Sequence, residues 1–151
     1  MNDIEVPVFN QVYNAVYNEF HSSYPSLTIL NDRPESLAKF PAVICVEDDN
    51  ITYSKDRDLT SQEQYSEVMY TVEIYTDNRN GHKTLAKQIA GVVDAVMIGL
   101  RFQRMSFAQM PNVDRDVTRY VGRYRAVVSH PFDRGTDNNN LPQIEYYLYR
   151  R

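Results

Sequence analysis

The stretch Thr76–Ala86, TDNRNGHKTLA, holds the residues whose types come nearest to a known chemistry. Gly81-His82-Lys83-Thr84 approaches the Gly-Lys-Thr that closes a phosphate-binding loop, and it lies where such a loop sits, between a strand-like run and a helix-like run. A phosphate loop needs Gly-x-x-x-x-Gly-Lys-Ser/Thr, so that consecutive backbone N–H groups wrap the phosphates. Here His82 separates Gly81 from Lys83, and Thr76 and Asp77 stand where the opening glycine belongs. Asp77, Asn78, Asn80 and Gly81 are turn formers instead, and Lys83 and Lys87 are expected on the solvent side of the helix that follows. Cys45 is the single cysteine, so it allows no internal disulfide and no multi-cysteine metal site. It stands in the most apolar run of the chain, where a cysteine is usually core packing. His21, His82 and His130 occupy dissimilar settings, with no spacing that implies a shared base or metal site. The sequence therefore points to no catalytic residue, no cofactor site and no metal site, and the expectation is a protein that is not an enzyme.

The arginines are more informative. Arg115, Arg119, Arg123 and Arg125 fall on one side of a long strand-like run, because strand side chains alternate. Glu67 and Glu73 share one face of an earlier strand. Cross-strand ion pairing is one use of such residues, worth about 0.2–1 kcal/mol per pair. A basic strip facing a neighbouring subunit or a phosphate backbone is another. Net charge is −4, and a phosphate-gripping domain normally carries a clear positive excess, so ion pairing or subunit contact is favoured. The charge is also split along the chain. Residues 1–78 hold 4 basic and 14 acidic side chains, and residues 79–134 hold 10 basic and 4 acidic. The two parts either pair inside one fold or meet as opposite poles of neighbouring copies, a head-to-tail contact that closes into a ring when the rotation permits.

These residues must be carried by a small fold. A chain of 151 residues with 42% hydrophobic content suits one domain with a core of its own. No apolar run reaches the roughly 18 residues of a membrane span, and MNDIEVPVFN lacks the basic start of a signal peptide. Synthesis in a reducing cytoplasm is expected. Residues 5–22 read as an amphipathic helix with Phe9, Val12, Val16 and Phe20 as its apolar stripe. Ser26–Leu30 reads as a short strand, and Ala42–Val46 as a strand buried on both faces. Residues 47–66 are polar and read either as a surface loop or as the arm of a long hairpin.

Glu67–Tyr75 alternates, with Val68, Tyr70, Val72 and Ile74 on one side. Lys83–Leu100 is the second helix, with Leu85, Ile89, Val92, Val93, Val96 and Leu100 as its stripe and Gly99 as its terminating glycine. Phe102–Met110 and Val117–Val128 read as strands joined by a turn at Pro111-Asn112, and IEYYLYRR as a last strand-like piece. Paired hairpins and only two helices predict an α+β fold: a mainly antiparallel sheet with two helices packed on one face, a long hairpin arm and an extended C-terminal tail. Residues 1–132 form the single domain in this reading, and residues 133–151 an extension.

Taken together, the initial helix, FPAVICVEDD, YTVEIYTDNRNGHKTLAKQIAGVVDAVMIGLRF and VTRYVGRYRAVV resemble the small tail-terminator (tail-completion) proteins of long-tailed bacteriophages. The similarity runs from about residue 5 to residue 130, and the tail beyond it lies outside the family pattern. The resemblance implies a structural virion protein, assembled in the host cytoplasm, that forms a homohexameric ring on the head-proximal end of the tail tube. Such a ring stops tube growth and joins the tube to the head-completion, or stopper, proteins of the neck, and DNA passes through its lumen without specific binding. Another neck component, such as a head–tail connector or adaptor, is the alternative. On this reading the subunit or neighbour-ring contacts fall to Arg115, Arg119, Arg123 and Arg125, to Glu67 and Glu73, to Asp56, Arg57 and Asp58 in the polar arm, and to Tyr146, Tyr147 and Tyr149 in the tail. The tail is suited to adding a strand to another subunit.

Overall fold

The computed structural model describes residues 5–34, 39–52, 65–77, 82–111 and 116–129. In chain order these form α1 (Glu5–Phe20), β1 (Thr28–Leu30), β2 (Ala42–Thr52), β3 (Tyr65–Asp77), α2 (His82–Gly99), β4 (Gln103–Met110) and β5 (Val117–Ser129). The five strands make one sheet in the order β1-β2-β3-β5-β4. Every pairing is antiparallel except that of β1 with β2. The fold is α+β, with a mostly antiparallel sheet. Among the described residues no helix is long and apolar enough to cross a membrane.

The core lies between the helices and one face of the sheet. Val68, Tyr70, Val72 and Ile74 of β3, with Tyr120, Tyr124, Ala126 and Val128 of β5, point into it and are buried. These are the alternate positions expected from the period of two. On α2 the buried line is Leu85, Ala86, Ile89, Val93 and Met97, flanked by partly buried Val92, Val96 and Leu100, while Lys83 and Lys87 are exposed. On α1 the expected stripe shifts by one residue at its start. Val8 joins Val12, Val16 and Phe20 in the core, and Phe9 packs against it only partly buried. A four-residue repeat drifts only slowly around a helix of 3.6 residues per turn, so Val8 completes that line. Phe9 begins a second line on its flank: Phe9, Tyr13, Tyr17 and His21, with ring centroids 6.0, 5.6 and 4.3 Å apart along the series. Tyr13 and Tyr17 are exposed.

Strand β2 outruns its apolar segment. It continues through Glu47, Asp48 and Asp49 to Thr52, paired with β3 down to Ser66. The polar stretch from residue 47, read either as a surface loop or as the arm of a long hairpin, is strand in its first part, because ladder hydrogen bonds to β3 outweigh weak strand propensity. A bulge between Glu47 and Asp49 makes Asp48 the extra residue, so that Asp49 stands opposite Met69 on the same face as Asp48. Residues 53–64, with Asp56, Arg57 and Asp58, lie outside the described residues, as does everything after Ser129, including Tyr146, Tyr147 and Tyr149.

Asp94, the one charge inside the apolar run of α2, fastens that helix to the sheet. Tyr124 donates its hydroxyl hydrogen to Asp94 Oδ1 at 2.8 Å, and Arg104 Nη1 donates to Oδ2 at 3.0 Å. At the sheet's edge β4 is exposed along nearly its whole length; only Phe107 is half-buried. Phe107 lies over Gly122 of β5, so closely that a Cβ at Gly122 would stand 2.6 Å from the ring. No larger residue fits there with the ring in place.

Helix α2 ends differently from the expectation that Gly99 terminates it. Gly99 is still helical, and the left-handed residue is Arg101, at φ 72°. Phe102 N–H donates to Met97 O at 3.0 Å and Arg101 N–H to Ile98 O at 2.9 Å. This is the Schellman pattern, and the two residues whose apolar side chains accompany it, Met97 and Phe102, are both buried in the core. A β-carbon is penalised in that conformation. Arg101→Gly is therefore expected to raise unfolding free energy by roughly 0.5–1 kcal/mol, after allowing for glycine's freer unfolded chain. Urea denaturation of the two proteins checks this, and an unchanged or lower midpoint counts against the assignment of Arg101 as the cap.

Candidate functional site

The face of the sheet away from the helices is where the sequence-predicted charges meet. It is also less wet than a free sheet face, since Ile44, Thr71, Glu73, Val121 and Val127 are all buried there. In the middle of it is a cleft of about 300 Å³, lined by polar side chains of β2, β3 and β5 and by Arg33. Alternation places Thr71 and Glu73 of β3 and Arg119 and Arg123 of β5 on this side. The same alternation on β2, after Ile44 and Val46, brings in Asp48, and the segment after β1 brings in Arg33.

Glu73 is the centre of the cleft, with its side chain only 6% exposed. Arg119 Nη2 donates to Glu73 Oε1 at 2.5 Å, and Arg33 Nε donates to Oε2 at 3.2 Å. Arg33 Nη2 also reaches Asp48 Oδ1 at 3.2 Å, and Thr71 Oγ1 donates to Asp48 Oδ2. The two bonds to Glu73 make its burial tolerable, because a buried carboxylate needs paired and hydrogen-bonded partners. The Arg33–Asp48 pair has 48% and 37% of its side chains exposed and contributes little by comparison. The hydrogen bond to Glu73 raises the pKa of Arg119. For Arg33, burial acts downward, but Asp48 and Glu73 outweigh it. Tyr75 lies with its ring centroid 6.0 Å from the Arg119 guanidinium carbon, and burial raises its pKa, reinforced by Glu73.

The expected cross-strand ion pairing thus occurs for Glu73 with Arg119, on a diagonal: Arg119 stands opposite Tyr75, and Glu73 opposite Val121. Glu67 is on the same face, half-buried and opposite Val127. Arg125 stands opposite Met69 and donates to Gln103 Oε1 at 3.1 Å. Arg123 is exposed on the rim of the cleft. Arg115 lies outside the described residues. Sequence reading missed Arg33 and Asp48. Arg33 sits in a polar connection with no periodicity, and Asp48 falls on this face by the alternation of Ile44 and Val46 once its segment is strand.

Cys45, weighed as a nucleophile, is buried among core residues. Burial, reinforced by Glu5, pushes its thiol up to about 12, the reverse of the depression an attacking thiolate needs. No protein-family model matches the sequence, and no curated protein matches it.

Two predictions rest on this geometry. Glu73→Gln leaves Arg119 and Arg33 without their shared counter-charge and is expected to cost about 2 kcal/mol, whereas Arg123→Gln stays within about 0.5 kcal/mol of the parent. Chemical denaturation of both variants checks the contrast, and equal effects contradict the central place given to Glu73. The second concerns alkaline pH. A thiol kept protonated by the fold contributes stability that is fully present below its unfolded pKa of 9.0 and is lost as pH rises towards about 12. Burial also raises the Tyr70 and Tyr124 hydroxyls, helped by Glu47 and by the Asp94 hydrogen bond respectively. Stability should therefore fall above pH 9 at up to about 1.4 kcal/mol per pH unit for each group. Cys45→Val should delay the onset until the tyrosines titrate. A parent protein equally stable at pH 8 and pH 10.5 contradicts this.

Proposed function

We propose that this protein is a structural assembly subunit, a bacteriophage tail terminator acting as a homohexameric ring. In this reading the ring caps the tail tube, meets the head-completion proteins at the tail–head junction of the virion, and leaves a lumen through which DNA passes. The observation that carries the proposal is the placement of two association-prone surfaces on opposite sides of one domain. Helix α1 packs over the β2 side of the sheet and carries the exposed Tyr13 and Tyr17. Strand β4 closes the other side, with Met105 47% and Met110 37% exposed and, among the described residues, no strand on its outer edge.

An open edge of this kind is a template for another chain unless it is covered. Two different surfaces on opposite sides suit a head-to-tail contact rather than a two-fold one. The charge split runs the same way, since α1 belongs to the acidic part of the chain and β4 to the basic part. The order of elements also agrees with the resemblance carried by the sequence. The alternative, another neck component such as a connector or adaptor, shares these features and differs in what the ring touches.

Native mass spectrometry and electron microscopy of the purified protein, alone and mixed with tail tubes, test the proposal. Closed rings of one stoichiometry, bound at one end of the tube, are expected. A protein that stays monomeric even with tubes present overturns it, and rings that ignore tubes but bind neck proteins transfer the protein to the alternative.

A further inference from the structure

Resting on the head-to-tail reading of the proposed ring, we infer that its subunit contact joins the tyrosine row of α1 in one copy to the turn from α2 into β4 in the next, with Arg101 as the anchor. Among the described residues, the exposed large hydrophobics fall into two groups. Val6, Tyr13 and Tyr17 lie on α1, and Ile98, Met105 and Met110 lie at the end of α2 and along β4. Charge divides the same way. Residues 5–20 carry Glu5 and Glu19 and no basic residue, and residues 98–110 carry Arg101 and Arg104 and no acidic one. On opposite sides of one domain, such patches cannot meet across a two-fold axis, but each covers the other when a second copy is placed head to tail.

Arg104 is already held by Asp94, whereas Arg101 is exposed and, among the described residues, has no ion-pair partner. Its backbone is left-handed, at φ 72°, where glycine would be the more stable residue. A side chain held at a conformational cost, with no bond inside its own subunit, suits a use outside it. Ile98 and Met105 flank it, Ile98 through the hydrogen bond from Arg101 N–H and Met105 as the extra residue of the bulge between Arg104 and Ser106. On the partner's side of the contact, Tyr13 and Tyr17 are stacked at 5.6 Å, and Tyr17 stacks on His21 at 4.3 Å. Rings stacked on one another turn their edges, not their faces, outward. Ring edges are where methionine sulfur packs, and phenol hydroxyls accept from a guanidinium. The last turn of α1 has no basic residue, so the negative pole of the helix adds to the attraction for Arg101. Tyrosine, methionine and arginine are also enriched at protein interfaces.

Two double variants of the full chain separate the surfaces. Tyr13→Ala with Tyr17→Ala removes the row on α1, and Arg101→Gly with Met105→Gln removes the turn. All four positions are exposed, and urea midpoints check that both variants fold. In sedimentation velocity each variant alone should associate at least about tenfold more weakly than the parent. Mixed, the two retain one intact contact, the turn of the first against the row of the second, and should form 1:1 pairs that grow no further. Variants that associate as the parent does, or a mixture that stays monomeric where the parent assembles, overturn the contact and leave the ring reading standing. Pairs in the mixture from a parent that closes no ring keep the contact and remove the ring. A parent that is monomeric at every concentration, with or without tail tubes, overturns both.

Discussion

Glu73 sets the terms for much of this structure. It lies near the middle of β3, a strand with neighbours on both sides, so its carboxylate is held away from water by the sheet itself. A charge in that position has to be met by cations at short range, and they come from two separate parts of the chain. Arg119 arrives from β5, and Arg33 from the segment after β1. The interaction therefore ties the strand order together. It also fixes register, since a slip of β5 by one residue would turn Arg119 towards the apolar core and Tyr120 out of it. The two faces of the sheet thus depend on one alignment: the apolar face for its packing, the polar face for its charge balance.

Much of this was legible in the sequence. The alternation of Val68, Tyr70, Val72 and Ile74, and of the even positions of β5, specified the core face because a period of two has only one physical reading when one side is covered. The pairing of Glu73 with an arginine of β5 followed from the same alternation. What escaped was non-local. VEDDNIT read equally as loop or hairpin arm, since the hydrogen bonds that make it strand belong to β3. Asp48 follows the alternation of Ile44 and Val46 once that pairing exists, and Arg33 is recruited by a carboxylate 40 positions later. At the ends of helices the errors were small and physical. Val8 replaced Phe9 because the buried line follows one four-residue row, and Arg101 replaced Gly99 because the hydrogen bonds to Met97 and Ile98, not residue preference, decide which residue turns left-handed.

The uneven charge along the chain has a partial answer inside the fold. Glu73 from the acidic part meets Arg119 from the basic part, so some of the imbalance is settled internally. Arg104 pairs with Asp94 within the basic part itself. Arg123 is left facing outward from the same cleft. Arginines that look equivalent in a strand pattern therefore divide into one that holds the fold together and one that is available to something else.

The contact between Phe107 and Gly122 has a consequence for how the sequence can drift. Because the ring occupies the space where a side chain at position 122 would begin, position 122 is not free to gain a side chain by itself. A gain of volume at 122 requires the ring at 107 to move or to be replaced by a smaller side chain. Among descendants of this chain the two positions should then change as a correlated pair, even though one is a glycine and the other sits on an otherwise exposed edge strand.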